Sequence, residues 1–566
     1  VDRKVDRVMI TLLKDIKLVD GYGVKTDRDA IYLVDDRIET VLPPGTVVDA
    51  EYSLPGHLVM PGGIDLHTHI GGGKVNIARL LLPERPARDA IQELHDRKPW
   101  LEPLSCPVPN TWETGQRYLQ MGYTACFEPA MLAANARQSH AEMQDTPWLD
   151  TGAYVLLGND RMLLDMLARA VPQSQIEEYI GWMIAAHAAC GVKVVNPGGI
   201  DAFKFNQRSM NFDDLHPHFG ISPRQILQCL ARATDSLGLA HPLHVHCSNL
   251  GMPGNIATTL ATIDAVEGSR LHLTHAQYHC YGNEGPHGFS SGAALLAERV
   301  NRSDRLTIDV GQVLFGQTVT LSADTMHQYA NRKLASPRKT IFQDLECQAG
   351  CGVLPFRYRQ SQYVHGLQWT IGLELFLRVV DPFKVFLTTD HPNGGPFTGY
   401  PHLIRLLMDY DFRMSIFERL HPDVKGTSSL PSLKREYRLD EIAAVTRSGP
   451  ARALGLVQRG TLAEGSLADV VVYREDRNAE TMFASPSMVF RRGDLVMRNG
   501  VCLDDCPKAT ILATLRDRDR IAEWGRSKAH RTSWKERYGY SPDLTAMRLD
   551  ELRGEGRNVE WNASHE

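Results

Sequence analysis

The chain has 566 residues, 43% of them hydrophobic and 23% charged, with a formal net charge of −5. That length suits one large domain plus a smaller one, and the composition excludes a disordered or fibrous protein. The slightly acidic balance predicts no nucleic-acid partner, and the lack of a basic-apolar leader or a run of about 18 apolar residues predicts no membrane association, so the expected compartment is the cytoplasm.

The first sixty residues alternate apolar and polar positions in short runs, Asp15–Val19 and Ala30–Val34, parted by turn clusters such as Asp20-Gly21-Tyr22-Gly23. This pattern predicts β-hairpins. From about residue 85 to 430 the pattern changes to apolar strand-like runs, each ending in a loop and followed by a longer helical stretch. The runs are Gly122–Phe127, Gly152–Leu157, Gly191–Val195, Pro242–His246, Arg270–His275, Leu306–Val310 and Lys384–Thr389. Repeated βα units of this kind imply a parallel sheet, and about eight of them fit a closed barrel.

Alternation returns in Ala468–Tyr473 and Ser487–Met497. The expected fold class is therefore α/β, a TIM-like (β/α)8 barrel with a composite β-sandwich built from both terminal segments. The expected parts are 1–60 and 431–509 for the sandwich, 61–430 for the barrel, and 510–566 as a charged, exposed helical arm. Ten cysteines are scattered through the chain, and neither Cys347/Cys351 nor Cys502/Cys506 has zinc-finger or redox spacing, so they are read as reduced thiols.

The segment Pro61-Gly-Gly-Ile-Asp-Leu-His67-Thr-His69 carries the strongest local signal. Side chains at i and i+2 of a strand share a face, so His67 and His69 can reach one metal ion together. Alone, such a pair is equally a pair of solvated or capping histidines. Four further metal-competent groups, Lys193, His246, His275 and Asp390, stand at the ends of successive predicted barrel strands, where barrel enzymes assemble their sites. His244, His272 and His279 lie close by in sequence, so one or two of the histidines could be supporting or merely buried. Asp390 could instead cap a helix. Lys193 cannot bind a cation as an ammonium, but a buried lysine loses its proton readily, and the neutral amine can take up carbon dioxide to give an anionic carbamate.

The order HxH, Lys, His, His, Asp resembles that of the metal-dependent amidohydrolases of hydantoinase and dihydroorotase type. The stretches Thr446–Leu456 and Arg459–Tyr473 are similar to the tail with which that superfamily rebuilds its β-sandwich. Rarer strings resemble a narrower family, the A subunits of formylmethanofuran dehydrogenase and of the methylotroph formyltransferase/hydrolase complex. They are Lys74–Leu82, Met121–Thr124 with Glu128–Met131, Gly191–Gly199, Leu243–Gly251, Leu273–His279 and Thr389–Phe397, within a resemblance that runs from about residue 10 to 500.

The resemblance implies hydrolysis of a formamide on a furan-type one-carbon carrier, methanofuran or methylofuran, to formate and the free amine. It implies two zinc ions bridged by N6-carboxylated Lys193, with His67, His69 and Asp390 on one ion and His246 and His275 on the other. Asp390 would also move the proton to the leaving amine. Asn249, Gln277, His279 and His391 follow the ligands in sequence and are candidates to touch substrate or to orient ligands. The implied partners are the other subunits of a formyltransferase/hydrolase complex in methylotrophic formaldehyde oxidation. The same site run in the condensing direction, as in a methanogen-type dehydrogenase, is an alternative. So is a hydantoinase-like cyclic amidase. A scaffold that has lost its ligands is disfavoured because all six candidates are present.

Overall fold

The computed structural model describes residues 8–25, 28–81, 110–207, 209–266, 268–322, 324–336, 338, 352–503, 506–554 and 557–565. Eight parallel strands neighbour one another in chain order: β1 (Gly63–Asp65), β2 (Tyr123–Met131), β3 (Asp150–Leu156), β4 (Gly191–Val195), β5 (Leu243–His246), β6 (Leu271–Leu273), β7 (Leu306–Asp309) and β8 (Val385–Phe386). Strands β2 and β4 are buried at every position. This is the signature of a parallel sheet covered on both faces, and it explains why these segments read as mainly apolar runs with no polar alternation.

The sheet curls until its ends meet. Thr68, just past β1, forms a parallel bridge with His391, just past β8, and the His69 amide donates to the His391 carbonyl at 3.1 Å. The architecture is thus the expected TIM-like one. Helices cover the outside; Pro223–Ser236, between β4 and β5, shows how the sequence specifies one. Pro223 occupies its first turn, and Ser222 and Gln225 cap each other reciprocally. Its buried stripe, Ile226, Leu227, Leu230 and Ala233, has helical spacing.

Strands from both ends of the chain join in one nine-stranded mixed sheet. Ala50–Pro61 is the junction, parallel to Ile10–Asp20 on one side and antiparallel to Val470–Arg474 on the other. Leu13, Leu18, Ile31, Val59, Val470 and Phe490 form a core of its own. The run Ser487–Met497 divides into two strands, Met488–Arg491 and Asp494–Arg498, because the chain reverses at Arg492-Gly493. Gly493 has a φ of +82°, and a Cβ there would lie 1.9 Å from the Asp35 carbonyl oxygen, so only glycine fits.

The charged C-terminal segment does not form an exposed helical arm. Lys508–Leu512 and Arg557–Trp561 pair with each other in parallel, and Thr510 pairs with Thr151 of β3, so the barrel sheet gains two strands. Between them, helices Arg518–Arg526 and Lys528–Tyr538 press Trp524 and Trp534 against Trp182, with ring centroids 4.6 and 5.2 Å apart. High average charge hides a few large apolar residues on one face. Asp150, at the start of β3, ties the three parts together. Its carboxylate takes Arg491 at 2.9 Å and Arg459 at 2.6 Å, while Glu560 takes Arg492 at 2.6 Å.

Cys502 and Cys506 are free thiols, as expected; Cys347 and Cys351 lie outside the described residues. No helix among the described residues is long and apolar enough to cross a membrane.

Candidate metal centre

All six predicted site residues, His67, His69, Lys193, His246, His275 and Asp390, line one buried cavity at the C-terminal ends of the barrel strands. Backbone geometry aims them. Asn196, Asn249, His275 and Asp390, which follow β4, β5, β6 and β8, have φ values of +39°, +64°, +36° and +50°. Non-glycine residues avoid this region at a cost of about 1–3 kcal/mol each, and such strain gathers where a site must be built. Gly311, after β7, makes room, since a Cβ there would come 2.4 Å from that of His275.

His67 Nε2 lies 3.0 Å and His69 Nε2 3.4 Å from Asp390 Oδ1. The His69 ring is fixed from behind by the fully buried Glu128. Its Oε1 is 3.0 Å from His69 Nδ1, and its Oε2 accepts the amides of Ile70 and Gly71. A carboxylate only accepts, so His69 carries its proton on Nδ1 and turns the Nε2 lone pair into the cavity.

On the other side, the rings of His246, His275 and His279 lie 4.7–5.1 Å apart. His246 Nε2, His275 Nδ1 and both ring nitrogens of His279 are buried without a hydrogen-bond partner, and the nearest acid to His246 is Asp324 at 3.6 Å. Burial depresses the pKa of His246 and holds those of His275 and His279 well below normal, so the rings are neutral. Neutral imidazoles with orphaned lone pairs are the donor set that a transition-metal ion satisfies. The ligand atoms of His246, His275 and His279, and those of His67, His275 and Asp390, each fall within 4.8 Å of one another.

Lys193 is buried, and desolvation pulls its amine down to about 7 against the pull of Asp309 and Asp390. At neutral pH much of it is therefore the free amine that carbamate formation requires.

The residues chosen by sequence proximity divide. His279 joins the histidine trio. Asn249 donates to Thr258 Oγ1 at 3.2 Å, Gln277 donates to the Gly311 carbonyl at 2.6 Å, and His391 accepts the Phe397 amide at 3.2 Å. These three hold loops and do not line the cavity. Sequence reasoning passed over Glu128, Asp309, Asp324 and Lys74. Asp309 accepts His272 Nε2 at 3.0 Å, the His275 amide at 2.8 Å and the Thr388 hydroxyl at 2.8 Å. The available signal was an acid inside an otherwise apolar run, as in Leu306–Val310. Lys74, on the helix Gly73–Leu81, is buried and lines the cavity beside Lys193.

Residues 47–500 match the family described as "Amidohydrolase family". The chain is 38% identical over 544 residues to the A component of the formyltransferase/hydrolase complex Fhc of Methylorubrum extorquens, covering 95% of this chain and 96% of that protein. It is 37% identical to protein FwdA of Methanocaldococcus jannaschii, covering 84% of this chain and 86% of that one. The crystal structure of the Methylorubrum extorquens complex FhcABCD with methylofuran contains a chain that superposes with a TM-score of 0.88 at 36% identity, covering 98% of this chain and all of that one.

Proposed function

The chain belongs to the amidohydrolase family, in the branch that contains the FhcA component of the formyltransferase/hydrolase complex, and from that premise we propose that it hydrolyses a formamide on a furan-type carrier. The substrate is N-formylmethylofuran or N-formylmethanofuran. Water adds to the formyl carbon, the C–N bond breaks, and formate and the free amine leave. One observation carries this reading: two groups of buried ligand atoms, His67/His275/Asp390 and His246/His275/His279, meet at the mouth of the barrel with Lys193 in the same cavity.

His67, His69 and Asp390 would hold one zinc ion, His246 and His275 the other, with carboxylated Lys193 between them. When bound, the ions supply the Lewis acidity that activates water and polarises the formyl oxygen. Asp390, ionised in the buried site, accepts the proton of the attacking water and returns it to the departing nitrogen. The antiparallel strand pair Gly316–Ser322 and Gly352–Tyr358 shields that transfer from solvent, since Thr320, Leu321, Ser322 and Tyr358 form part of the cavity wall. In the cell the chain would act within a complex, as its Methylorubrum relative does.

Formate release from N-formylmethylofuran, compared between the wild type and Asp390→Asn, tests the reading. The expected result is release by the wild type and loss of nearly all activity in a folded variant. Activity in Asp390→Asn above a few per cent would remove Asp390 from its role.

A further inference from the structure

If the chain is a metal-dependent hydrolase of this kind, His67 must present a lone pair rather than a proton to the cavity. His69 has Glu128 to ensure this, but the nearest carboxylate oxygen to His67 Nδ1, Asp309 Oδ2, is 3.5 Å away. Behind His67 runs a chain of imidazoles through the barrel interior. His241 Nδ1 lies 3.1 Å from the Ala453 carbonyl oxygen, which can only accept, so that nitrogen carries the proton and His241 Nε2 is an acceptor. His241 Nε2 lies 2.9 Å from His244 Nδ1, so His244 carries its proton there and its Nε2 is an acceptor in turn. His244 Nε2 lies 2.9 Å from His67 Nδ1, which therefore donates.

The outcome at the far end is a bare His67 Nε2, 3.0 Å from Asp390 Oδ1. That separation is bridged by a proton or by a metal ion, and a metal ion takes the lone pair of neutral His67. Asp309 favours the same tautomer from its longer distance, whereas the Thr274 hydroxyl beside His67 Nδ1 can rotate to donate or accept and decides nothing. All three rings are buried, so water does not offer competing partners.

We propose that His241 and His244 are positioning residues, a tautomer relay anchored on the Ala453 carbonyl that locks the proton of His67 on Nδ1 and so delivers its Nε2 to the metal. The two histidines of the HxH pair are then set by different means, His69 by an anionic carboxylate and His67 by a neutral chain. Neither relay residue lines the cavity.

The test uses the full-length protein stripped with a chelator and titrated with zinc against a competing chelator. In His244→Gln the amide oxygen takes the place of Nε2 and can still accept from His67; in His244→Leu the side chain cannot, and only the rotatable Thr274 hydroxyl and the longer Asp309 contact remain. The expected result is that Gln stays within about threefold of the wild type while Leu weakens zinc binding by about ten- to a hundredfold, the usual cost of losing a ligand's hydrogen-bond partner. His241→Leu, remote from the ions, falls between the two and carries the test if His244→Leu does not fold, as judged by melting of the metal-free forms. Equal weakening in Gln and Leu would mean a packing role, and unchanged affinity in both would mean none; either overturns the relay while leaving the metal site standing. A wild type that takes up no zinc would overturn both.

Discussion

Glu128 Oε1 stands 3.0 Å from His69 Nδ1, with both groups buried. A carboxylate behind an imidazole raises the basicity of the nitrogen that faces the cavity and fixes the ring. Glu128→Gln keeps the shape and removes the charge. We expect zinc affinity to fall by about ten- to a hundredfold, measured by chelator competition; an unchanged affinity would make the contact incidental.

Lys193 sits in the cavity with its amine drawn down to about 7 by burial. If it bridges the metals as a carbamate, intact-mass measurement under mild conditions shows the added mass of one carbon dioxide, lost on acidification. Lys193→Ala then binds less metal, and a small carboxylate supplied in the buffer restores part of it. An unmodified amine in active, metal-replete protein would rule the bridge out.

Asp150 is fully buried among Arg491, Arg459 and Arg492, which together overcome the effect of burial and hold its carboxyl well below its ordinary value of 3.8. A depressed folded-state value means that the stabilisation is present above the unfolded value and is lost as pH falls below it. Asp150→Asn leaves the buried Arg491 partly uncompensated, and we expect a loss of about 3–5 kcal/mol in chemical denaturation at pH 7. The difference between variant and wild type should shrink as the pH drops below about 4. A pH-independent difference would assign the effect to packing instead.

Trp534, 1% exposed and packed edge-on or tilted against the rings of Trp182, Tyr538 and Tyr540, makes the C-terminal segment part of the fold. Trp534→Ala should cost about 3–5 kcal/mol. A change under about 1 kcal/mol would return the segment to the status of a peripheral arm.

What was legible in the sequence follows from which forces act locally. The barrel strands were readable because strands buried on both faces leave continuous apolar runs, and His246 and Asp390 stood out as polar residues where such runs stop. The C-terminal strands were not, since Lys508–Leu512 is five residues long and its partner Arg557–Trp561 lies further along the chain among charges. Within the site, His67 and His275 were visible by position, whereas Glu128 and His244 act through pairings across 59 and 177 residues that no local spacing encodes. Asn249 and Gln277 show the converse. Proximity in sequence to a ligand placed them beside the site, but the left-handed turn after β5 and the short helix after β6 point their amides into loop hydrogen bonds.

A site built for two metal ions that serve amide hydrolysis is the central claim, and elemental analysis of the purified full-length protein tests it most directly. Close to two zinc ions per chain are expected, removed by chelation together with formate release and restored with it. Less than about one metal ion per chain in a preparation that still releases formate would contradict the claim.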